Sequence, residues 1–127
     1  LEELWTGEES PQGLLDELIR AYETFGIQVQ VDGQLPQQRA IALSFVEILR
    51  EAATNAICHG HADTIAVTVD EQRIRISDNG CGASPDFHMG GGLSAIARRA
   101  KTMGARLLIS ASPSFTVEVS MGRRQNL

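Results

Sequence analysis

The sequence predicts an α/β fold of the α+β kind: a two-layer sandwich in which a mixed sheet of about five strands carries three helices on one face. Three observations predict it. Apolar residues recur at helical spacing in three stretches and alternate with polar ones in the others, in the order α-β-α-β-β-α-β-β. The chain has 127 residues, 43% of them hydrophobic, which suits one compact domain with a single core. The strands have one apolar side each, so the helices must share that side.

Composition narrows the function. The net charge of -5 argues against nucleic acid or an anionic membrane as a partner of this segment. No apolar run approaches the length of a membrane span, and no signal segment opens the chain. Two cysteines do not make a disulfide framework, so reduced thiols and a cytoplasmic location are expected, whether or not the whole protein is membrane-anchored. Residues 1–127 read as one domain, with the acidic, aperiodic residues 1–10 as a linker remnant. An opening Leu1 rather than Met is the expectation for a piece of a longer protein.

Ser10-Pro11 reads as a helix start, and Leu14, Leu15, Leu18, Ile19, Tyr22 and Phe25 follow at helical spacing until Gly26 stops them. Strict alternation over Ile27–Val31 predicts a half-buried strand ended by Asp32-Gly33. A long helix runs roughly from Gln38 to Cys58 and is closed by Gly60. Thr64 to Val69 and Arg73 to Ser77 form a hairpin around Asp70-Glu71-Gln72. Gly80 to Gly92 is glycine-rich, contains Pro85 and lacks periodicity, so it reads as a loop. Leu93, Ile96, Ala97, Ala100 and Met103 mark a short helix ending at Gly104. Arg106 to Ser110 and Phe115 to Met121 are the last strands, turning at Ser112-Pro113-Ser114.

The chemistry centres on Glu47 to His59, E-I-L-R-E-A-A-T-N-A-I-C-H. As a helix it puts Ile48, Leu49, Ala52, Ala53 and Ala56 on an apolar band. Glu47, Glu51, Asn55 and Cys58 or His59 share a second stripe, with a carboxylate and an amide one turn apart. Asp78-Asn79-Gly80-Cys81-Gly82 follows, and then Gly90-Gly91-Gly92-Leu93 opening a helix. A helical polar pair, an Asp-Asn-Gly-x-Gly turn and a glycine-rich helix start form an ATP-binding layout distinct from the P-loop.

These motifs resemble the catalytic ATP-binding domain of a sensor histidine kinase, the Bergerat fold shared with gyrase and the heat-shock chaperone ATPase. R-E-A-A-T-N-A-I-C-H resembles the N box, D-N-G-C-G the G1 box and G-G-G-L-S-A-I-A-R-R the G2 box. The likeness runs from about Leu14 to Met121. The short G1–G2 loop resembles the branch whose response regulators carry helix-turn-helix DNA-binding domains. The resemblance implies a domain that binds Mg·ATP and donates the γ-phosphate to a histidine on a dimerisation domain of the same protein, absent from this chain, with a response regulator downstream. Under it the isolated domain does not phosphorylate itself.

Asn55 offers an amide oxygen suited to Mg²⁺, while Glu51 either orients water, acts as a base or supports the metal shell. Asp78 either accepts the exocyclic N–H of adenine or simply makes an Asx-type turn. Gly80 and Gly82 permit close ligand approach; Gly90, Gly91, Gly92 and Leu93 lead to helix N–H groups suited to phosphate, or are plain flexible loop. His59 lies either near the nucleotide or at a helix cap. His59-x-His61 lacks a third metal ligand, His88 reads as solvated, and Arg99 is either a G2-associated base or a surface residue. Cys58 and Cys81 either meet across the pocket or stay separate.

The chain departs from the family pattern at Cys58, where many relatives have a phosphate-reaching lysine. It departs again at Ser114-Phe115-Thr116, where G-x-G-T is usual, and at Ala97 and Arg98. Three rival readings therefore stand beside the histidine kinase: an anti-sigma-factor serine kinase, a degenerate nucleotide-binding module without phosphotransfer, and a gyrase-like hydrolase.

Overall fold

A computed structural model describes residues 10–80, 92–110 and 115–121. The elements follow in the predicted order: α1 (Pro11–Thr24), β1 (Gln28–Gly33), α2 (Arg39–Gly60), β2 (Thr64–Val69), β3 (Arg73–Asp78), α3 (Gly92–Met103), β4 (Ala105–Ser110) and β5 (Thr116–Met121). Ser10 caps α1, its Oγ accepting the Gly13 N–H at 3.0 Å, and Pro11 fills the first turn where no N–H is needed. Gly26 and Gly104, at φ 81° and 72°, take the left-handed positions after α1 and α3.

The strands form one mixed sheet in the order β1-β2-β3-β5-β4, in which β1 runs parallel to β2 and every other pair is antiparallel. Register aligns one row of apolar residues across it: Val67 faces Ile76, which faces Val117, which faces Ile109. Those rows, with Ile65, Val69, Ile74 and Val119, join Phe45, Ile48, Leu49, Ala52 and Ala53 of α2 in a single core that also takes Leu15 and Ile96. The alternate strand residues, among them Gln28, Gln30, Thr68, Arg73, Arg75 and Arg106, are exposed on the uncovered face. No helix among the described residues is long and apolar enough to cross a membrane.

Three expectations need correction. Phe25 leaves the apolar stripe: α1 ends at Thr24, and Phe25 sits beyond the last helical turn, 80% exposed. Asp32 and Gly33 belong to β1, which ends at Gly33 rather than Val31; they pair with Thr68 and Val69, because the parallel ladder runs the full length of β2. Gly60 does not close α2 but is its last helical residue, and His61 takes the left-handed position at φ 55°. The N–H groups of His61 and Ala62 both donate to the Ala56 carbonyl, which holds His61 there although an L side chain opposes it.

Two positive-φ sites make opposite predictions. At Gly33, φ 107°, an added Cβ would lie 1.9 Å from the Val69 carbonyl oxygen, so Gly33→Ala should destabilise the fold by more than about 1 kcal/mol. His61→Gly removes the steric cost of a left-handed residue and should stabilise by about 1 kcal/mol or less. Urea midpoints at constant slope check both.

Candidate functional site

Burial of the apolar band of α2 decides what its other faces can offer. Ile48, Leu49, Ala52, Ala53 and Ala56 are all buried, as the period requires. The neighbouring stripe therefore stays at the rim. Glu51 and Asn55 are half-buried on it, and Cys58 is an exposed free thiol. Arg50 forms a surface ion pair with Glu47 and comes within 4.0 Å of Glu51. Such exposed pairs contribute little stability but keep a cation beside the Glu51 carboxylate. The amide of Asn55 forms no hydrogen bond among the described residues. Tyr22 of α1 braces this helix, its hydroxyl 3.5 Å from the Arg50 carbonyl oxygen, and burial pushes the phenol upward from its ordinary pKa.

The strand period places Asp78 inside. Ile74, Ile76 and Asp78 alternate onto the helix-covered face, and Asp78 sits opposite Ile65, itself opposite Val29. Asp78 is 9% exposed and is the one buried polar or charged side chain among the described residues. Its Oδ1 accepts the Gly80 N–H at 2.7 Å, while Oδ2 has no partner among those residues. Burial raises its pKa from the ordinary carboxylate value, and the Gly80 N–H acts the other way. The Asx-type turn and the free acceptor thus coexist, one on each oxygen.

Asn79 ties this turn to the connection between α2 and β2. Its Oδ1 accepts the N–H groups of Asp63 at 3.1 Å and Thr64 at 3.0 Å, and its Nδ2 donates to Asp63 Oδ1 at 2.7 Å. The Asn79 N–H extends the β2–β3 ladder by donating to the Thr64 carbonyl at 3.2 Å. The Asn79 amide first, then the Thr64 hydroxyl, hold the Asp63 carboxyl below its ordinary pKa. Since α2 ends at Gly60, the Asn55 end of the helix and the Asp78 end of β3 lie at the same end of the sheet. α2 also packs against β3 and α3.

Gly80 is half-buried at the turn, and His59 lies in the last turn of α2. Gly92 and Leu93 are the first two residues of α3. Gly82, Gly90, Gly91, Cys81 and His88 lie outside the described residues. Thr116 stands on the uncovered face, where its hydroxyl pairs with Ser77 Oγ at 3.2 Å, whereas Phe115 is buried. A shallow groove between the start of α1 and residues 34–39 lies at the other end of β1 and holds none of these residues.

Residues 40–124 match the family described as histidine kinase-, DNA gyrase B- and HSP90-like ATPases. The chain belongs to this family. Over 65 residues the chain is 37% identical to the nitrate/nitrite sensor protein NarX of Escherichia coli K12, covering 46% of this chain and 11% of that protein. The domain thus spans about a tenth of that relative's length. Its fold resembles the blue-light activated histidine kinase EL346 of Erythrobacter litoralis, with TM-score 0.68, 20% identity, and 84% of this chain and 40% of that one covered. It likewise resembles the ATP binding domain of PrrB from Mycobacterium tuberculosis, with TM-score 0.60, 18% identity, and 88% and 93% covered. Family and fold together support an ATP-binding domain of the sensor histidine kinase kind.

Motif reading had no role for Asn79 beyond its place in a turn. The D-N-G turn signal marks the residue, but its partner Asp63 stands outside any motif.

Asp78 makes a pH-dependent prediction for this domain. Its folded pKa is raised, so its contribution is fully favourable below the unfolded carboxylate value and is lost as pH rises through the folded pKa. Asp78→Asn keeps an acceptor for the Gly80 N–H and removes the buried charge. The variant should be more stable than the parent at neutral pH, and the gap should close below about pH 4. Thermal melts across that range measure it.

Proposed function

We propose that this domain binds Mg·ATP and donates the γ-phosphate to a histidine on a separate dimerisation domain of a two-component sensor kinase. The observation that carries the reading is Asp78: a buried carboxylate with one oxygen committed to its own turn and the other open among the described residues, beside the helix that bears Glu51 and Asn55. A buried acceptor without a second donor is costly, and an exocyclic N–H of adenine supplies the missing donor.

Asn55, whose amide oxygen is uncommitted among the described residues, suits Mg²⁺, which takes oxygen ligands and keeps several waters, so a single neutral protein ligand beside nucleotide phosphates is enough. Bound there, the ion would neutralise charge on the phosphate oxygens. Gly80 and Gly82 let the chain approach the nucleotide, and Gly90, Gly91, Gly92 and Leu93 bring the N–H groups at the start of α3 towards phosphate. His59 borders the nucleotide from the last turn of α2. The acceptor imidazole nitrogen bonds to the γ-phosphorus as the bond to the β–γ bridging oxygen breaks, and ADP leaves with that electron pair. Glu51 accepts the proton of the incoming imidazole. The response regulator then receives the phosphoryl group, in the cytoplasm.

Substitutions separate the parts. Asp78→Ala should lose a charge-assisted hydrogen bond of roughly 1.5–3 kcal/mol, or about 10- to 150-fold in ATP affinity by calorimetry. An unchanged affinity in a folded variant removes Asp78 from the site. Asn55→Ala should bind metal-free ADP like the parent, lose the benefit of added Mg²⁺, and fail to phosphorylate a dimerisation domain supplied in trans. Acid-labile phosphate on the isolated chain after incubation with ATP would contradict the proposal.

A further inference from the structure

The Asp63–Asn79 pair is a built contact that neither the ATPase motifs nor the proposed ligands account for. Four hydrogen bonds converge on Asn79: two backbone N–H groups donate to its Oδ1, its Nδ2 donates to Asp63 Oδ1, and its own N–H donates to the Thr64 carbonyl. Two donors at one oxygen and one carboxylate at the nitrogen fix the orientation of the amide, because the flipped amide would set N–H against N–H. Asp63 is anchored from the other side as well, its carbonyl accepting the Gln28 N–H at 2.9 Å. The cluster thus joins β1, the connection leaving α2, and the residue next to Asp78.

This placement has a geometric consequence. The proposed adenine acceptor stands on the last residue of β3, and the proposed metal ligand stands on α2. A single nucleotide must reach both, so its fit depends on how the end of β3 is held against the end of α2. The inter-strand bond from Asn79 N–H would persist in an Ala variant; the three side-chain bonds would not. Removing the side chain would therefore release the turn behind Asp78 from Asp63 while leaving the strand pairing in place.

We propose that Asn79, locked onto Asp63, is a positioning residue that sets Asp78 for the adenine edge and so determines the preference for adenine over guanine. The inference rests on the ATP reading above. Asn79 itself touches no nucleotide in this scheme, since both ends of its amide are taken by the protein. Its partner can therefore be exchanged without touching the ligand. Asn79→Asp alone would set two carboxylates face to face where 2.7 Å now separates donor from acceptor. Adding Asp63→Asn restores one donor and one acceptor, with the roles reversed.

The test is calorimetric titration of the chain with non-hydrolysable analogues of ATP and GTP, in the parent, Asn79→Ala, Asn79→Asp, Asp63→Asn/Asn79→Asp and Asp78→Ala. Asn79→Ala and Asn79→Asp should each lose about tenfold in affinity for the ATP analogue, with the ATP-to-GTP preference falling by the same factor, as for loss of roughly one good hydrogen bond. The double exchange should return both quantities to within about threefold of the parent. A variant that was merely less folded would lower the binding-competent fraction for both analogues equally and leave their ratio intact. Should Asn79→Ala not fold, Asp63→Ala, which keeps the two backbone donors to Asn79, gives the same ratio readout. If Asp78→Ala abolishes the preference while the Asn79 variants keep it, the positioning inference is overturned and the ATP reading stands. Loss in Asn79→Asp without rescue by the double exchange overturns it too, because Asn79 would then act on the nucleotide directly. An Asp78→Ala variant that binds like the parent overturns the ATP reading, and this inference with it.

Discussion

The two-residue period of β3 governs this domain. Its helix-facing positions must be apolar to cover the core, and Ile74 and Ile76 obey, but the next position in the same row is Asp78. A carboxylate there cannot turn outward without flipping the register of the strand, which would expose Ile74 and Ile76 as well. The core thus forces the charge to stay inside. The desolvation that results raises the carboxyl pKa, and the Gly80 N–H offsets only part of it.

The same logic applies to α2 with a different period. Phe45, Ile48 and Leu49 and, in the next turns, Ala52 and Ala53 join the core, and Ala56 is buried on the same band. Close packing turns Glu51 and Asn55 to the rim without exposing them fully. The half-buried Asn55 and the buried Asp78 therefore lie towards the same end of the sheet, with Glu51 one turn further back along α2. One set of apolar contacts thus sets both the stability of the domain and the placement of these polar side chains, while hydrogen bonds from Asn79 hold the turn after β3.

Much of this was legible in the sequence because it is local. Alternation in Thr64–Val69 and Arg73–Ser77 gave the hairpin, and Asp70 closes it by accepting the N–H groups of Gln72 and Arg73 at 2.8 and 2.9 Å. The apolar band of α2 followed from spacing, and the family motifs named Asp78, Glu51 and Asn55, the residues on which the proposed function rests. Other features depend on distant partners and left no local mark. Asn79 reads as a turn residue until Asp63 is beside it. Gly60 looked like the helix stop because glycine accepts a left-handed φ, yet the Ala56 carbonyl draws in the amides one and two residues later. The ladder that absorbs Asp32 and Gly33 depends on where β2 ends, which β1 does not encode.

The strand order carries a consequence for how the domain assembles and varies. β2–β3 and β4–β5 are both local hairpins, and the sheet is completed where β3 meets β5, partners far apart along the chain. Most of the loop-closure entropy of the antiparallel sheet is thus concentrated in one seam, which makes that seam, with the parallel β1–β2 pairing across α2, a slow contact in folding. The cost of closing it grows only logarithmically with the connecting length, at about 0.6 kcal/mol per doubling. The stretch between β3 and α3 can therefore lengthen or shorten widely at little thermodynamic cost, leaving its length free to be selected for function rather than for folding.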